Sequence, residues 1–383
     1  MLRHVFAAGI IPALLSLSAL ELSAVSPAGP QDLESSGPEV QGAALSVDST
    51  LRPASSSPPQ ERLRGPEIIR TDNFSLTLGA RLQLRYTWDS PDEGDDIGSF
   101  TVRRARLSLG GSAYEHFRYT MQMELSGGSV NLIDANMTYR IAPLATLWWG
   151  QGKAHFGRQQ LSSSGNLHFV DRTVVDGRFS GQRQAGIALT GQNEGRTFEY
   201  GVGVYNGNGI NAANTNDRYM FAGRAVWTPL GAYAPQEGAF DYPESPRVAI
   251  GTGALRNTTG IGAAETRVTR FNVETAFKLQ GFNVTGEFYR EDAEPTGQES
   301  LETIGWYLQP GLLLPNRRNE VGLRYAVISP DTPTNTDVIE AGVAFSHYWH
   351  EHRAKLQADL RRMEWKATDD KDLQFRVQLQ LAL

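Results

Sequence analysis

Residues 74–88, FSLTLGARLQLRYTW, alternate between apolar and polar side chains without a break. The even positions from Phe74 to Trp88 are all apolar, whereas the odd positions carry small polar residues, glutamine and two arginines, Arg81 and Arg85. Successive side chains of a β-strand point to opposite faces, so this pattern predicts a strand with one apolar and one cationic face. In a soluble sandwich the apolar face would meet a second sheet. In a membrane barrel it would meet lipid, and the arginines would line a channel.

Alternating segments of this kind recur from about residue 70 to the C-terminus and add up to about sixteen strands. The connections on one side are long, as in DSPDEGDDIG and NGNGINAANTND, and those on the other are short, as in LQG and APL. Long outer loops and short periplasmic turns are typical of porins. An inner connection at 229–246 is longer than this rule predicts. The pattern therefore favours an all-β fold, a transmembrane antiparallel β-barrel over residues 71–383.

The N-terminal part of the chain predicts export. Arg3 and His4 precede the apolar stretch VFAAGIIPALLSLSAL and the small residues of SAVSPAG, which together are typical of a secretory signal peptide over residues 1–26. Residues 27–70 are rich in Pro, Ser and Gly without a sustained period, which predicts a flexible periplasmic leader. We therefore expect the protein in the outer membrane of a Gram-negative cell.

The amino-acid composition of the chain argues against several classes of function. The chain has no cysteine, which excludes disulfides, thiolate zinc sites and a cysteine nucleophile. Its formal net charge of −6 argues against a nucleic-acid partner. HYWHEH at 347–352 has histidines but no arranged carboxylate set, and His155 and His168 lack an evident orienting partner for a serine nucleophile. We expect no enzyme activity, no cofactor and no metal.

Three stretches resemble the phosphate-selective porin O/P family of Gram-negative outer membranes: SLTLGARLQLRYTW, FTVRRARLSLGGSAYEHFRYTMQMELSGG and WWGQGKAHFGRQQLSSSGNLHFVDRT. The resemblance runs from about residue 72 to the C-terminus and implies a sixteen-stranded barrel, a homotrimer in the lipid bilayer, and cationic pores for small anions. Ala154-His155 stands where the family often has proline. The chain also ends in Leu383 rather than the usual aromatic residue.

Strand parity assigns side chains to the lumen, because a basic residue facing lipid near the midplane would cost about 2–4 kcal/mol. Arg103 falls out of this parity, and we expect it at the headgroup boundary. Six acidic residues are expected to oppose the inward basic ones: Glu124, Asp134, Glu199, Glu274, Glu287 and Asp359. The predicted lumen-wall residues of the anion pathway are Arg81, Arg85, Arg104, Arg106, Arg118, Arg224, Arg270, Arg324 and Arg376, with Arg140, Lys355 and Arg361 as further inward candidates.

The connection at 154–181 is the longest of the predicted outer loops, and in large barrels such a loop commonly folds inward and narrows the lumen. Five basic residues at or within it are predicted to form the constriction of the anion pathway: Lys153, Arg158, Arg172, Arg178 and Arg183. Only Asp171 and Asp176 oppose them inside the loop. A charge held close to a passing ion acts more strongly than one on a wide wall, so we expect Lys153 and Arg158 to affect selectivity more than Arg376 does.

These observations favour a passive, anion-favouring outer-membrane channel, with phosphate or polyphosphate as candidate solutes. Two alternatives stay open on the sequence. One is a general, non-selective porin whose wall charges are mostly paired across strands. The other is a barrel enzyme such as a lipid hydrolase, for which the chain shows no catalytic constellation.

Overall fold

The computed structural model describes residues 65–383. The predicted signal peptide and most of the predicted leader lie outside these residues. The strands are β1 (Glu67–Arg70), β2 (Ser75–Ser90), β3 (Ile97–Ala113), β4 (Phe117–Glu124), β5 (Asn131–Ala142), β6 (Ala145–Lys153), β7 (Arg183–Gln192), β8 (Phe198–Tyr205), β9 (Met220–Trp227), β10 (Arg247–Thr259), β11 (Thr266–Leu279), β12 (Phe282–Pro295), β13 (Leu301–Leu313), β14 (Asn319–Pro330), β15 (Val338–His350), β16 (Ala354–Trp365) and β17 (Asp370–Ala382). The short helices are α1 (Arg158–Leu161) and α2 (Val174–Phe179).

Strands β2 to β17 form one closed antiparallel barrel, so the predicted sixteen-stranded fold is confirmed. Each strand pairs with its neighbours in the chain, and β17 closes the ring on β2 from Leu373↔Ser90 to Ala382↔Arg81. The additional strand β1 consists of the last four residues of the predicted leader and pairs with the start of β2. No helix in the described part of the chain is long and apolar enough to cross a membrane.

The two faces of the barrel follow the predicted parity. On β2, Arg81, Gln83 and Arg85 are buried inside, while Leu82 and Leu84 are exposed on the outer surface. The same apolar exposure recurs around the barrel, for example at Phe271, Leu323, Val343 and Leu381. An apolar outer surface and a polar interior are the reverse of a soluble protein, and they match a barrel immersed in lipid.

Arg103 is placed differently from the prediction. A register shift between β2 and β3 pairs Gln83 with Arg104 but Leu84 with Val102, which leaves Arg103 as an extra residue. A β-bulge of this kind turns neighbouring side chains away from strict alternation. Arg103 consequently approaches Asp171, with 3.6 Å between Nε and Oδ2, rather than lying at the headgroup boundary. The sequence pattern had no signal for the bulge.

The connections differ in length at the two ends, as predicted. The inner turns are mostly short, and the one between β11 and β12 has only Gln280 and Gly281 between its strands, both with positive φ. That conformation favours glycine and fits a tight hairpin turn. The two longest connections are the outer loop 154–182, which contains α1 and α2, and the inner connection 228–246, which is an exception to the short inner turns. We call the first the constriction loop, after the role predicted for it, and the second the inner connection.

The lipid-facing surface leads to a first prediction. Val343 lies midway along β15 with its side chain exposed, and Leu381 lies at the end of β17. Val343→Arg should lower the free energy of unfolding by about 2–4 kcal/mol, and Leu381→Arg by about 0–1 kcal/mol, because the cost of a charge depends on its depth in the bilayer. Equilibrium urea unfolding in lipid vesicles measures both. Equal losses would mean that Val343 does not face the bilayer midplane.

Candidate ion pathway

The constriction loop enters the barrel and packs on an apolar patch of the inner wall. Phe156, Val175 and Phe179 of the loop are fully buried. Their surroundings include inward-facing aromatic rings, with Phe179 stacked on Tyr289 at a centroid distance of 5.3 Å. The patch also contains Trp148, Tyr205, Met220, Leu255, Tyr307 and Ile328. The loop is thus fixed by burial of apolar surface, as in a globular core.

Glu287 on β12 provides the main polar anchor of this loop. Its carboxylate accepts hydrogen bonds from the backbone N–H groups of Arg158 (2.6 Å) and Gln159 (2.8 Å). Tyr289 Oη (2.7 Å) and Tyr307 Oη (2.8 Å) also donate to it. Asn272 Nδ2 donates from 3.0 Å. A buried carboxylate with this many donors is well stabilised, and it holds the first turn of the loop against the wall.

Further contacts attach the loop to β15 and β16. The Val174 N–H donates to Glu340 (2.7 Å), and the Val170 N–H donates to Asp359 (3.1 Å). Lys355 Nζ donates to the Leu167 carbonyl at 2.7 Å. The loop therefore covers the inner wall along these two strands. The inward folding expected for the 154–181 connection is confirmed.

One carboxylate of the loop itself is shared by several arginines of the wall. Asp171 lies 2.7 Å from Arg85, 3.0 Å from Arg104, 3.6 Å from Arg103 and 3.8 Å from Arg376. Burial would raise the pKa of this carboxyl, but Arg104, Arg85 and Arg103 outweigh that effect and hold the pKa well below its usual range. Asp171 is consequently ionised across the physiological pH range, yet it offsets one charge among four. We call this set the Asp171 cluster.

A second basic group lies where the loop meets the β2–β7 wall. Lys153 and Arg183 face each other in the register of β6 and β7. Arg183 binds Asp134 through two contacts, at 2.9 and 3.1 Å. Lys153 donates to the Leu161 and Ser162 carbonyls. Across the loop, Arg106 pairs with Glu124 at 2.8 Å, and Arg81 donates to Ser163 and Ser164. We call these residues the Lys153 cluster.

The remaining predicted residues are placed in separate pairs. Arg224 binds Glu199 and Glu274, Arg324 binds Glu340, and Arg178 and Arg270 share Glu291. Arg158 points toward Glu274 and the Tyr233 ring rather than toward the Lys153 cluster. Arg172 lies against loop carbonyls and Asp176, and Arg118 is exposed near the inner end of β4. Most predicted basic residues are therefore inside, but they do not form one continuous track.

Several residues of this site were not found by sequence reasoning. Glu340 supports Arg324 and the loop, and Glu237 of the inner connection contacts the loop from below. Both are single acidic residues whose roles depend on contacts far apart in the chain. Among the histidines of HYWHEH, His347 contacts Asn319, whereas His352 contacts the Glu237 carbonyl. No group suited to hold a metal ion occurs within residues 65–383.

This barrel is similar in sequence and in fold to known proteins. Residues 76–319, well over half of the chain, match the family described as "Phosphate-selective porin O and P". The chain belongs to this porin family. It is therefore an outer-membrane porin, a channel and not an enzyme.

Two relatives support the assignment at the level of sequence. The porin is 24% identical over 336 residues to an uncharacterized protein of Caulobacter vibrioides, a match that covers 80% of this chain and 67% of that protein. It is also 34% identical over 109 residues to Porin O of Pseudomonas aeruginosa, covering 26% of this chain and 25% of Porin O. The second match is confined to about a quarter of each protein.

Solved porin structures share the fold. The porin superposes on the anion-selective porin from Comamonas acidovorans with a TM-score of 0.63 and 13% identity, covering 81% of this chain and 100% of that one. The outer membrane channel DcaP of Acinetobacter baumannii gives a TM-score of 0.59 and 12% identity, with 82% and 99% coverage. At these identities the likeness is one of fold.

The anchoring role of Glu287 is testable. Glu287→Ala should leave the barrel intact but free the first turn of the constriction loop, because two backbone N–H groups lose their acceptor. Trypsin should then cut at Arg158 or Arg172 in the folded, detergent-solubilised porin, while the wild type resists cleavage there. Glu294→Ala removes an exposed carboxylate from the same strand and should behave like the wild type. Resistance of the Glu287 variant would show that this anchor is dispensable.

Proposed function

We propose that this porin is a passive channel that favours anions, with phosphate or polyphosphate as solutes. The proposal rests on one observation, the unequal pairing of charges around the constriction loop. In the Asp171 cluster four guanidinium groups surround one carboxylate, and within residues 65–383 only Arg376 among them has another close acidic partner, Asp359. Rings of Arg and Lys favour anions in pores, and guanidinium groups match phosphate oxygens in bidentate geometry.

The exposure of the inner wall supports a position for the pathway. Several inward side chains from β11 to β17, such as Glu274, Gln309 and Lys355, are almost completely buried under the constriction loop and the inner connection, whereas Arg270 and Arg361 keep 16% and 23% of their side-chain surface exposed. Arg106 and Arg183 on the opposite wall keep 12% and 16% of their side-chain surface exposed. We propose that solutes pass between the loop and the β2–β7 wall, alongside the Lys153 cluster.

A general porin with paired charges is the second candidate, and one observation favours it. Arg224, Arg270 and Arg324 each have a buried carboxylate partner within 3.0 Å, so they contribute little net charge to the lumen. The two candidates differ in the sign and size of the reversal potential. A planar-bilayer recording of the wild type under a KCl gradient should give the sign of anion selectivity. A reversal potential near zero would favour the general porin instead.

The oligomeric state and the route of export belong to the same proposal. One of the solved structures with this fold, OmpT of Vibrio cholerae, is described in a trimer form. We propose a homotrimer in the outer membrane, exported through the signal peptide at 1–26. Chemical cross-linking of the detergent-solubilised porin tests the assembly, because a ladder that stops at two chains, or no ladder, contradicts a trimer.

The Lys153 cluster should set the selectivity. Lys153→Gln with Arg183→Gln removes two positive charges and leaves Asp134 without its bidentate partner. The anion-to-cation permeability ratio should fall by roughly two- to tenfold, because ions pass these groups within less than a Debye length. Reversal potentials in asymmetric KCl measure the change.

The matched control is Arg267→Gln with Lys371→Gln, which removes the same charge from exposed positions near the outer ends of β11 and β17. This control should shift the ratio only slightly. Equal shifts in both double variants would place the selectivity outside the Lys153 cluster.

Asp171 should act in the opposite direction. Asp171→Asn removes the carboxylate shared by four arginines, so anion preference should rise and added phosphate should block KCl current for longer. The increase in phosphate residence time should be roughly threefold or more, since charge-assisted contacts to the freed guanidinium groups strengthen. Single-channel recording with phosphate titration measures both. Asp369→Asn, at an exposed outer turn, is the control with the same charge change.

A further inference from the structure

The inner connection 228–246 departs from the short inner turns of this barrel because it rises into the lumen. Glu237 and Ala239 are almost completely buried, and Phe240 is buried with 8% of its surface exposed. These residues connect β9 to β10 at the inner end of the barrel, whereas the constriction loop begins and ends at the outer end. A long connection inside a barrel calls for a structural or functional reason.

The inner connection is anchored to the wall by aromatic and cationic contacts. The Phe240 ring meets the rings of Tyr348 and His352 edge-to-face, at centroid distances of 4.8 and 4.9 Å. Lys278 Nζ donates to the Ala234 and Gln236 carbonyls, at 3.1 and 2.8 Å. The segment therefore has a defined seat on β11 and on the β15–β16 hairpin.

From that seat, Glu237 contacts the constriction loop. Its backbone N–H donates to the Asn166 carbonyl at 3.1 Å. Its carboxylate oxygen Oε2 accepts the His168 backbone N–H and Gln309 Nε2, both at 2.9 Å. The other oxygen, Oε1, lies 3.4 Å from Gln159 Nε2. One side chain thus connects two parts of the loop to β13.

The same junction buries the His168 side chain. Its Nδ1 lies 3.8 Å from Glu237 and 3.6 Å from Glu320, and neither ring nitrogen has a hydrogen-bond partner among the described residues. The imidazole is almost completely buried. At a site that excludes water, the free energy of a polar group depends strongly on the geometry of its polar and charged neighbours. The contact between loop and connection is therefore a specific junction, not a loose approach.

We propose that the inner connection holds the constriction loop in place from the periplasmic end and that Glu237 is the positioning residue of this junction. In this arrangement the loop is supported on two sides, by Glu287 from the wall and by Glu237 from below. The inner connection and the loop together close the β11–β16 side of the lumen, so the pore dimension is set partly from the inner end. The inference depends on the porin fold and not on the sign of ion selectivity.

The test compares Glu237→Ala, Glu237→Gln and Glu244→Ala in the full-length porin. Loss of the carboxylate leaves the His168 N–H without its acceptor, so the loop segment 158–170 should exchange its amide hydrogens faster. Single-channel conductance in KCl should rise roughly twofold, since the pore widens where the loop is released. Glu237→Gln keeps one acceptor oxygen and should recover conductance close to the wild-type value.

Glu244→Ala is the matched control, because Glu244 is an exposed residue of the same connection and carries the same charge. It should leave both conductance and exchange unchanged. Heat-modifiable migration in SDS gels establishes that each variant is folded. If Glu237→Ala does not fold, Phe240→Ala loosens the seat of the connection and should raise conductance in the same way.

Wild-type conductance together with wild-type exchange in 158–170, in a folded Glu237→Ala or Phe240→Ala variant, would overturn the proposal. A rise in Glu244→Ala equal to that in Glu237→Ala would also overturn it, because the effect would then be one of charge alone. A cation-selective wild type would contradict the proposed function, but it would leave this comparison of conductances valid.

Discussion

A chain that crosses lipid must pair its backbone N–H and C=O groups within itself, and the closed barrel follows from this requirement. An open sheet would leave two edges unpaired in a medium that offers no hydrogen bonds. The pairing of β17 with β2 removes both edges. Closure in turn creates an enclosed space, and every second side chain of every strand points into it.

That enclosed space is packed in part like a protein interior and is not simply a water-filled tube. Polar and charged side chains predominate, but an apolar patch around Trp148, Tyr289 and Tyr307 receives the apolar residues of the constriction loop. Polar anchors such as Glu287 then fix the register of the loop. Because both kinds of contact act together, a long segment with little regular structure keeps a single position.

The distribution of charge follows from this packing. Carboxylates at the buried wall, such as Glu287 and Glu340, accept hydrogen bonds from loop backbone and so have a structural role as well as an electrostatic one. Arginines that share the one carboxylate of Asp171 keep an excess of positive charge beside the loop. The net charge of the chain, −6, therefore says little about the charge that a solute meets inside the barrel.

The alternation of side chains is sufficient to predict the barrel, because a period of two is local and survives in each strand separately. Arg81 and Arg85 fall on the lumen side for this reason, and the length of 154–181 is sufficient to predict an inward loop. Which charges meet depends on the tertiary structure. A bulge moves Arg103 away from the position that strict alternation predicts, and Arg158 lies toward Glu274. Glu237 binds the constriction loop although more than sixty residues separate the two in the chain. Such contacts depend on strand register and loop path, and these are set by packing across the lumen, which no local periodicity encodes.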